Sequence, residues 1–178
     1  MNTNDHHGPL PWQQRLEAVL PFFGHRNWIV VADSAYPAHC AAGVETVLAA
    51  DDHLMVLQTV LDRLDASLHV NASLHIDAEL AAAREEDAPG VSTYRRELDR
   101  LLDGRDRFPA IHDRILARVD EAACRFRILI IKTPMRIPYT SVFLELGCRY
   151  WPVRAENNLR AVLNGASAKS ELGKGLRS

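Results

Sequence analysis

Residues 24–33 have the sequence Gly-His-Arg-Asn-Trp-Ile-Val-Val-Ala-Asp. Their centre, residues 28–32, is a continuous apolar run between polar neighbours, which is typical of a short β-strand buried on both faces. Such strands belong to sheets that helices cover on both sides, so the stretch predicts an α/β fold. It also places Asp33 at the carboxyl end of a strand, where open α/β sheets usually bind ligands.

Patterns of helix and strand continue on both sides of this stretch. Apolar residues at helical spacing or between helix signals predict four helices, over residues 12–20, 53–66, 92–102 and 108–123. Ser92 and Thr93 are the predicted cap of the third helix. Strands are expected over 68–77, 126–131 and 142–151, whereas 44–49 fit either a short helix or a short strand. We therefore expect a single three-layer α/β domain with a mostly parallel central sheet flanked by helices.

Strict alternation over residues 68–77 predicts a half-buried strand. Its polar side is expected to face solvent: His69, Asn71, Ser73, His75 and Asp77. The domain itself is expected to span residues 12–151, after a flexible N-terminus at 1–11. Residues 152–178 form a C-terminal extension that is predicted to be helical over 156–163 and mobile at its Gly-, Ser- and Lys-rich end.

Composition limits the classes of function. The chain has 178 residues, 47% of them hydrophobic, and a formal net charge of −2, which gives no electrostatic reason to expect nucleic acid as a partner. No apolar run approaches the roughly 18 residues of a membrane span, and no secretory signal is visible near Met1. Cys40, Cys124 and Cys148 form no C-x-x-C pair. We expect a cytoplasmic protein with reduced thiols and no membrane partner.

Three positions combine into a possible site. His25 precedes the buried strand, Asp33 closes that strand eight residues later, and Pro138-Tyr139 opens the last predicted strand. The chain has no Gly-rich phosphate loop, no G-x-S-x-G turn and no zinc-ligand spacing, so neither a cofactor nor a metal is expected.

The order of these motifs resembles the D-ribose pyranase and L-fucose mutarotase family over about residues 16–150. That family has a Gly-His pair, a strand ending in Ala-Asp, and later a buried strand followed by Pro-Tyr-Ala-Asn. The matching residues here are Gly24-His25, Ala32-Asp33 and Pro138-Tyr139-Thr140-Ser141. The resemblance implies a mutarotase-like domain over 12–151. It implies an isomerase that interconverts anomers, or pyranose and furanose forms, of a monosaccharide such as ribose or fucose by acid–base ring opening, without a cofactor.

The resemblance also implies roles for single residues. His25 would transfer protons, because ring opening of a hemiacetal moves one proton off the anomeric hydroxyl and another onto the ring oxygen, and histidine titrates near neutral pH. Asp33 and Tyr139 would hold sugar hydroxyls by hydrogen bonds. Ser141 stands where the family has asparagine, so one sugar contact would be weakened or replaced. His112, about five residues upstream of the family's position, or else Arg114, would supply a further contact.

The resemblance carries a consequence for assembly. His25 precedes and Asp33 follows the same predicted strand, whose five residues span about 16 Å. The two side chains therefore reach one sugar only if they come from different subunits. Such a contact can form reciprocally in a two-fold dimer or head-to-tail in a ring, and the resemblance implies the ring, a cyclic homo-oligomer with active sites at the subunit interfaces.

Two other functions stay open from the sequence. The first is a non-catalytic sugar-binding or regulatory protein that kept the fold, which the change to Ser141 favours. The second is a metal-dependent enzyme that uses the available histidines and a carboxylate: His25, Asp33, His39 and His112.

Overall fold

A six-stranded mixed sheet forms the centre of the protein in the computed structural model, which describes residues 11–152 and 154–163. Its strands are β1 (Trp28–Ala32), β2 (Val44–Leu48), β3 (Val70–Asp77), β4 (Arg107–Ala110), β5 (Ile128–Lys132) and β6 (Val142–Cys148), in the spatial order β2-β5-β1-β6-β3-β4. β6 is antiparallel to both of its neighbours, and the other three pairs are parallel. The sheet is mostly parallel, as predicted.

Helices cover both faces of this sheet. They are α1 (Trp12–Val19), α2 (His53–Ala66), α3 (Glu79–Ala82), α4 (Val91–Leu101), α5 (His112–Ala123) and α6 (residues 154–163). α1 to α4 share one apolar cluster with Ile29 and Val31, whereas α5 shares another with Trp28, Val30 and Ala32. The alternating side chains of β1 thus anchor both helical layers, which confirms the three-layer α/β fold.

The buried strand in the sequence is the centre of the molecule. Every residue of β1 is at most 2% exposed, because β5 and β6 flank it in the sheet and helices lie above and below. Burying a large apolar side chain of this kind contributes about 1.5–3 kcal/mol to folding. The continuous apolar pattern was therefore a reliable sign of a strand covered on both faces.

Two predicted elements are wrong in detail. Residues 107–110 are the edge strand β4, and α5 begins only at His112, so the helix predicted over 108–123 is too long. Pro109 suits an edge strand, where its missing N–H breaks no ladder on the open side. The predicted cap of α4 is also wrong: Gly90, with a φ of 92°, precedes the helix, and the Glu85 carboxylate accepts hydrogen bonds from the N–H groups of Gly90 and Ser92.

The polar side of β3 is the third correction. His75 and Asp77 are 5% and 2% exposed, although alternation predicted a solvated face. His75 packs between Trp28 and Phe108, and Asp77 meets the first residue of α5. Asn71 at the other end of the strand is exposed as expected.

The remaining predictions concern residues 44–49 and the two ends of the chain. Residues 44–48 are a strand, and α6 begins two residues before the helix predicted over 156–163. The mobile tail predicted after residue 166, and all but the last residue of the flexible N-terminus, lie outside the described residues. Among the helices described, none has the length and apolar character to cross a bilayer.

Candidate active site at the carboxyl edge of the sheet

Strand direction brings three polar side chains to one edge of the sheet. β1 and β3 lie on either side of β6 and run opposite to it, so their carboxyl ends flank its beginning. Val142 of β6 is paired with Val31 on one side and Ile76 on the other. Asp77 directly follows Ile76, and Asp33 follows Val31 by two residues, so both aspartates lie at the edge of the sheet where Ser141 precedes β6.

Asp33 and Ser141 bind each other directly. The Ser141 hydroxyl donates to Oδ2 of Asp33 over 2.8 Å and accepts from the Asp33 N–H over 3.1 Å. The N–H of Ala35 donates to Oδ1 of Asp33 over 2.8 Å. Ser141 is fully buried whereas Asp33 is partly exposed, so the serine lies behind the carboxylate and fixes its direction.

His112 and Asp77 form a second pair at the same edge. Nδ1 of His112 lies 2.9 Å from Oδ2 of Asp77, and the His112 N–H donates to the carboxylate of Glu79 over 3.1 Å. The Asp77 side chain has no exposed surface. Its burial raises the pKa of the carboxyl to about 6, against the opposing effect of His112. This aspartate was missed at the sequence level, where it belonged to the supposedly solvated face.

Tyr139 closes this group from the loop before β6. Its backbone has a φ of 61°, a left-handed conformation that is uncommon for an aromatic residue, and its side chain is 38% exposed. The tyrosine ring meets the His112 ring edge-on with 5.7 Å between centroids. Arg114 is exposed two residues along α5, which puts it on a different side of the helix from His112.

The buried side chains of His53 and Tyr94 contact the backbone of the loop before β6. The Thr140 carbonyl accepts a hydrogen bond from the Tyr94 hydroxyl and lies 2.9 Å from Nε2 of His53. Since a carbonyl only accepts, Nε2 carries the proton, and Nδ1 of His53 lies 2.8 Å from the Thr133 hydroxyl, which also lies 3.0 Å from the carbonyl of Ala32. Burial lowers the pKa of His53 to about 4, which keeps the ring neutral. No local sequence pattern pointed to His53, because both of its partners are at least 80 residues away.

The other predicted site residues lie elsewhere. His25 is exposed before β1, in a turn where the Arg26 N–H donates to the carbonyl of Leu146, near the far end of β6. The full length of β1 thus separates His25 from Asp33. His39 contacts Tyr36 and Asp120. Within residues 11–152 and 154–163, no three His, Cys, Asp or Glu side chains are grouped to hold a metal ion.

Comparison with solved structures shows the fold. RbsD of Bacillus subtilis, solved with D-ribose, aligns with a TM-score of 0.54 and 16% identity, over 83% of this chain and 98% of that chain. A fucose mutarotase from Streptococcus pneumoniae, solved with L-fucose, aligns with a TM-score of 0.53 and 20% identity, over 78% of this chain and 96% of that chain. No protein-family model and no curated protein matches the sequence. The resemblance in the motifs is thus confirmed for the architecture: this chain has the RbsD and fucose mutarotase fold.

Proposed function

We propose that this protein is a monosaccharide isomerase of the mutarotase or pyranase type, which opens and recloses a sugar ring by acid–base chemistry. One observation carries the proposal. Asp33, Tyr139 and His112 lie at one edge of a sheet, with the rings of Tyr139 and His112 in contact, and the fold is shared with structures solved with ribose and with fucose. That edge is where open α/β sheets bind ligands.

The chemistry needs groups that hold hydroxyls and groups that move protons. Asp33, fixed by Ser141, accepts hydrogen bonds from sugar hydroxyls, and the half-exposed phenol of Tyr139 donates or accepts them. Ring opening removes the proton of the anomeric hydroxyl, breaks the bond from the anomeric carbon to the ring oxygen, and delivers a proton to that oxygen. His25 is the proposed proton carrier, because an imidazole takes and gives protons near neutral pH.

His25 reaches this edge from a neighbouring subunit in the proposal. The five residues of β1 separate His25 from Asp33 within one chain, about 16 Å of strand. A cyclic homo-oligomer, in which the exposed turn at His25 enters the site of the next copy, supplies the missing group. The proposed active sites therefore lie at the interfaces between subunits.

The alternative function is a sugar-binding or regulatory protein without catalysis. The burial of Ser141 favours it, because a hydroxyl with no exposed surface that is bonded to Asp33 cannot replace the amide contact of the family. Binding without exchange of anomers would distinguish this alternative from the isomerase.

Saturation-transfer NMR between sugar anomers tests the proposal. The sugar is first chosen by thermal shift over common pentoses and hexoses. We expect wild-type protein to exchange its anomers and His25→Ala to abolish the exchange with an unchanged melting temperature, because His25 is exposed and outside both apolar clusters. Arg96→Ala, on the exposed side of α4, is the control with wild-type exchange. Exchange by His25→Ala at the wild-type rate would contradict its role, and binding without exchange by the wild type would establish the alternative.

A further inference from the structure

The geometry of the His112 and Asp77 pair suits proton transfer as well as sugar binding. Nδ1 of His112 faces Oδ2 of Asp77 over 2.9 Å, and the imidazole is 28% exposed at the site while the carboxylate is completely covered. An ionised carboxylate only accepts hydrogen bonds, so the proton of a neutral His112 resides on Nδ1. The lone pair is then on Nε2, which makes no hydrogen bond with any described residue.

The surroundings of Asp77 give this pair its second property. The charged or titratable groups that face the carboxyl are Asp33 after β1, Glu79 on α3, His112 on α5 and the hydroxyl of Tyr36. Oδ1 of Asp77 is buried without a hydrogen-bond partner in the described part of the chain. His112 is therefore the group on which a buried, ionised Asp77 depends for stabilisation.

We infer that Asp77 is a positioning residue that fixes His112 with Nε2 toward the bound sugar, so that His112 acts as a second proton carrier in the same subunit as Asp33. The inference rests on the proposed isomerase function. While His25 of the neighbouring subunit takes the proton of the anomeric hydroxyl, the bond from the anomeric carbon to the ring oxygen breaks. The ring oxygen takes the proton from Nε2 of protonated His112, which keeps its bond to Asp77. Ring closure reverses both transfers and restores both histidines.

A second carboxylate–histidine pair on the same face of the sheet provides a control. Nε2 of His75 lies 3.1 Å from Oε2 of Glu145, a distance similar to that in the first pair. Arg118 also binds Glu145, over 2.6 Å, and the pair lies in the middle of the strands rather than at the edge. His75 is only 5% exposed, so it has no access to a sugar at the edge.

Two measurements test the inference. The first records the tautomer of His112 by long-range proton–nitrogen NMR on the ligand-free protein. We expect the Nδ1–H form in the wild type and loss of this preference in Asp77→Ala, which removes the acceptor that faces Nδ1. Glu145→Gln leaves the signal unchanged. A wild-type His112 that carries its proton on Nε2 would overturn the inference.

The second measurement is a double-variant cycle on anomer exchange. We expect Asp77→Ala and His112→Gln each to slow exchange roughly tenfold to a hundredfold, and Asp77→Ala to cause no further loss once His112 is Gln. Glu145→Gln keeps wild-type exchange. An equal loss from Asp77→Ala in both backgrounds would show a role in structure alone and overturn the inference. If the wild type exchanges no sugar, the proposed function fails, while the tautomer still decides whether Asp77 positions His112.

Discussion

The direction of the Asp33 carboxylate depends on a serine that no solvent reaches. The Ser141 hydroxyl both donates to Asp33 and accepts from its backbone, and Ser141 is 0% exposed. Removing the hydroxyl leaves the Asp33 N–H without this acceptor and removes one of the two hydrogen bonds that direct the carboxylate, the other coming from the N–H of Ala35. Loss of a buried hydrogen-bond partner typically costs about 1–3 kcal/mol.

Ser141→Ala is therefore expected to lower the free energy of unfolding by about 1–3 kcal/mol and to weaken sugar binding roughly tenfold. Urea denaturation measures the first effect and calorimetry the second. Ser34→Ala is the matched control, because Ser34 is the exposed serine next to Asp33 and is expected to change neither quantity by much. Wild-type affinity in Ser141→Ala would show that the serine does not position Asp33 for the ligand.

The sequence indicated some residues of the candidate site but not others. Asp33 could be predicted because its position after a buried strand fixes its place in the sheet, and the motif resemblance pointed to Tyr139 and His112. Asp77 could not, because its burial depends on α5, whose first residue lies 35 positions away. Alternation in β3 gave the correct face for Asp77 but carried no information on what covers that face.

At the level of elements, the helices α2 and α4 support the loop before β6, which carries Tyr139 and Ser141 of the candidate site. His53 on α2 and Tyr94 on α4 both bond to the carbonyl of Thr140, between Tyr139 and Ser141. His53 is 1% exposed, and its burial lowers the pKa from 6.5 to about 4. Between these two pH values the unfolded chain binds a proton at His53 more readily than the folded protein does. The contribution of neutral His53 to stability is thus complete above pH 6.5 and lost as the pH falls toward 4.

His53→Gln is expected to remove this dependence. The difference in unfolding free energy between wild type and variant should change by on the order of 3 kcal/mol, to the disadvantage of the wild type, as the pH falls through that window. The raised pKa of Asp77 acts in the opposite direction but is common to both proteins, so it cancels in the difference. Urea denaturation across the window provides the measurement. Tyr94→Phe, which removes the other donor to Thr140, should show a cost independent of pH, and the same constant cost in His53→Gln would contradict the assignment.

Elements with a strong local pattern were predicted and weak ones were not. β1 and β5 are continuous apolar runs, and their burial confirms that interpretation. β4 has four residues, three of them exposed, and includes Pro109. Its pairing with β3 alone makes it a strand, and such a pairing between residues about 30 positions apart leaves no local periodicity. The sequence therefore assigned Phe108 to the helix that follows.

For the whole molecule, the separation of His25 from Asp33 is the decisive feature. The turn at His25 is bonded to the end of β6 through Leu146, whereas Asp33 is bonded to Ser141 before β6 begins. Both β1 and β6 therefore set the two groups apart, and no change of rotamer brings them together. A site that uses both groups needs two copies of the chain.

Mixing two inactive variants tests this arrangement. His25→Ala lacks the proton carrier, and Asp33→Asn lacks the carboxylate but keeps an oxygen for Ser141, so each protein alone is expected to exchange no anomers. After the two are unfolded together and refolded at equal amounts, a subunit with Asp33 meets a neighbour with His25 at roughly a quarter of the interfaces. We expect about that fraction of wild-type exchange to return, and sedimentation to show a species well above the 19.9 kDa of one chain. Variants mixed without unfolding are the control, and we expect less activity in them, because unfolding has not redistributed their subunits. A mixture that stays inactive, or wild-type protein that sediments as a single chain, would mean that His25 and Asp33 do not share a site, and the proton carrier would then have to be sought within one subunit.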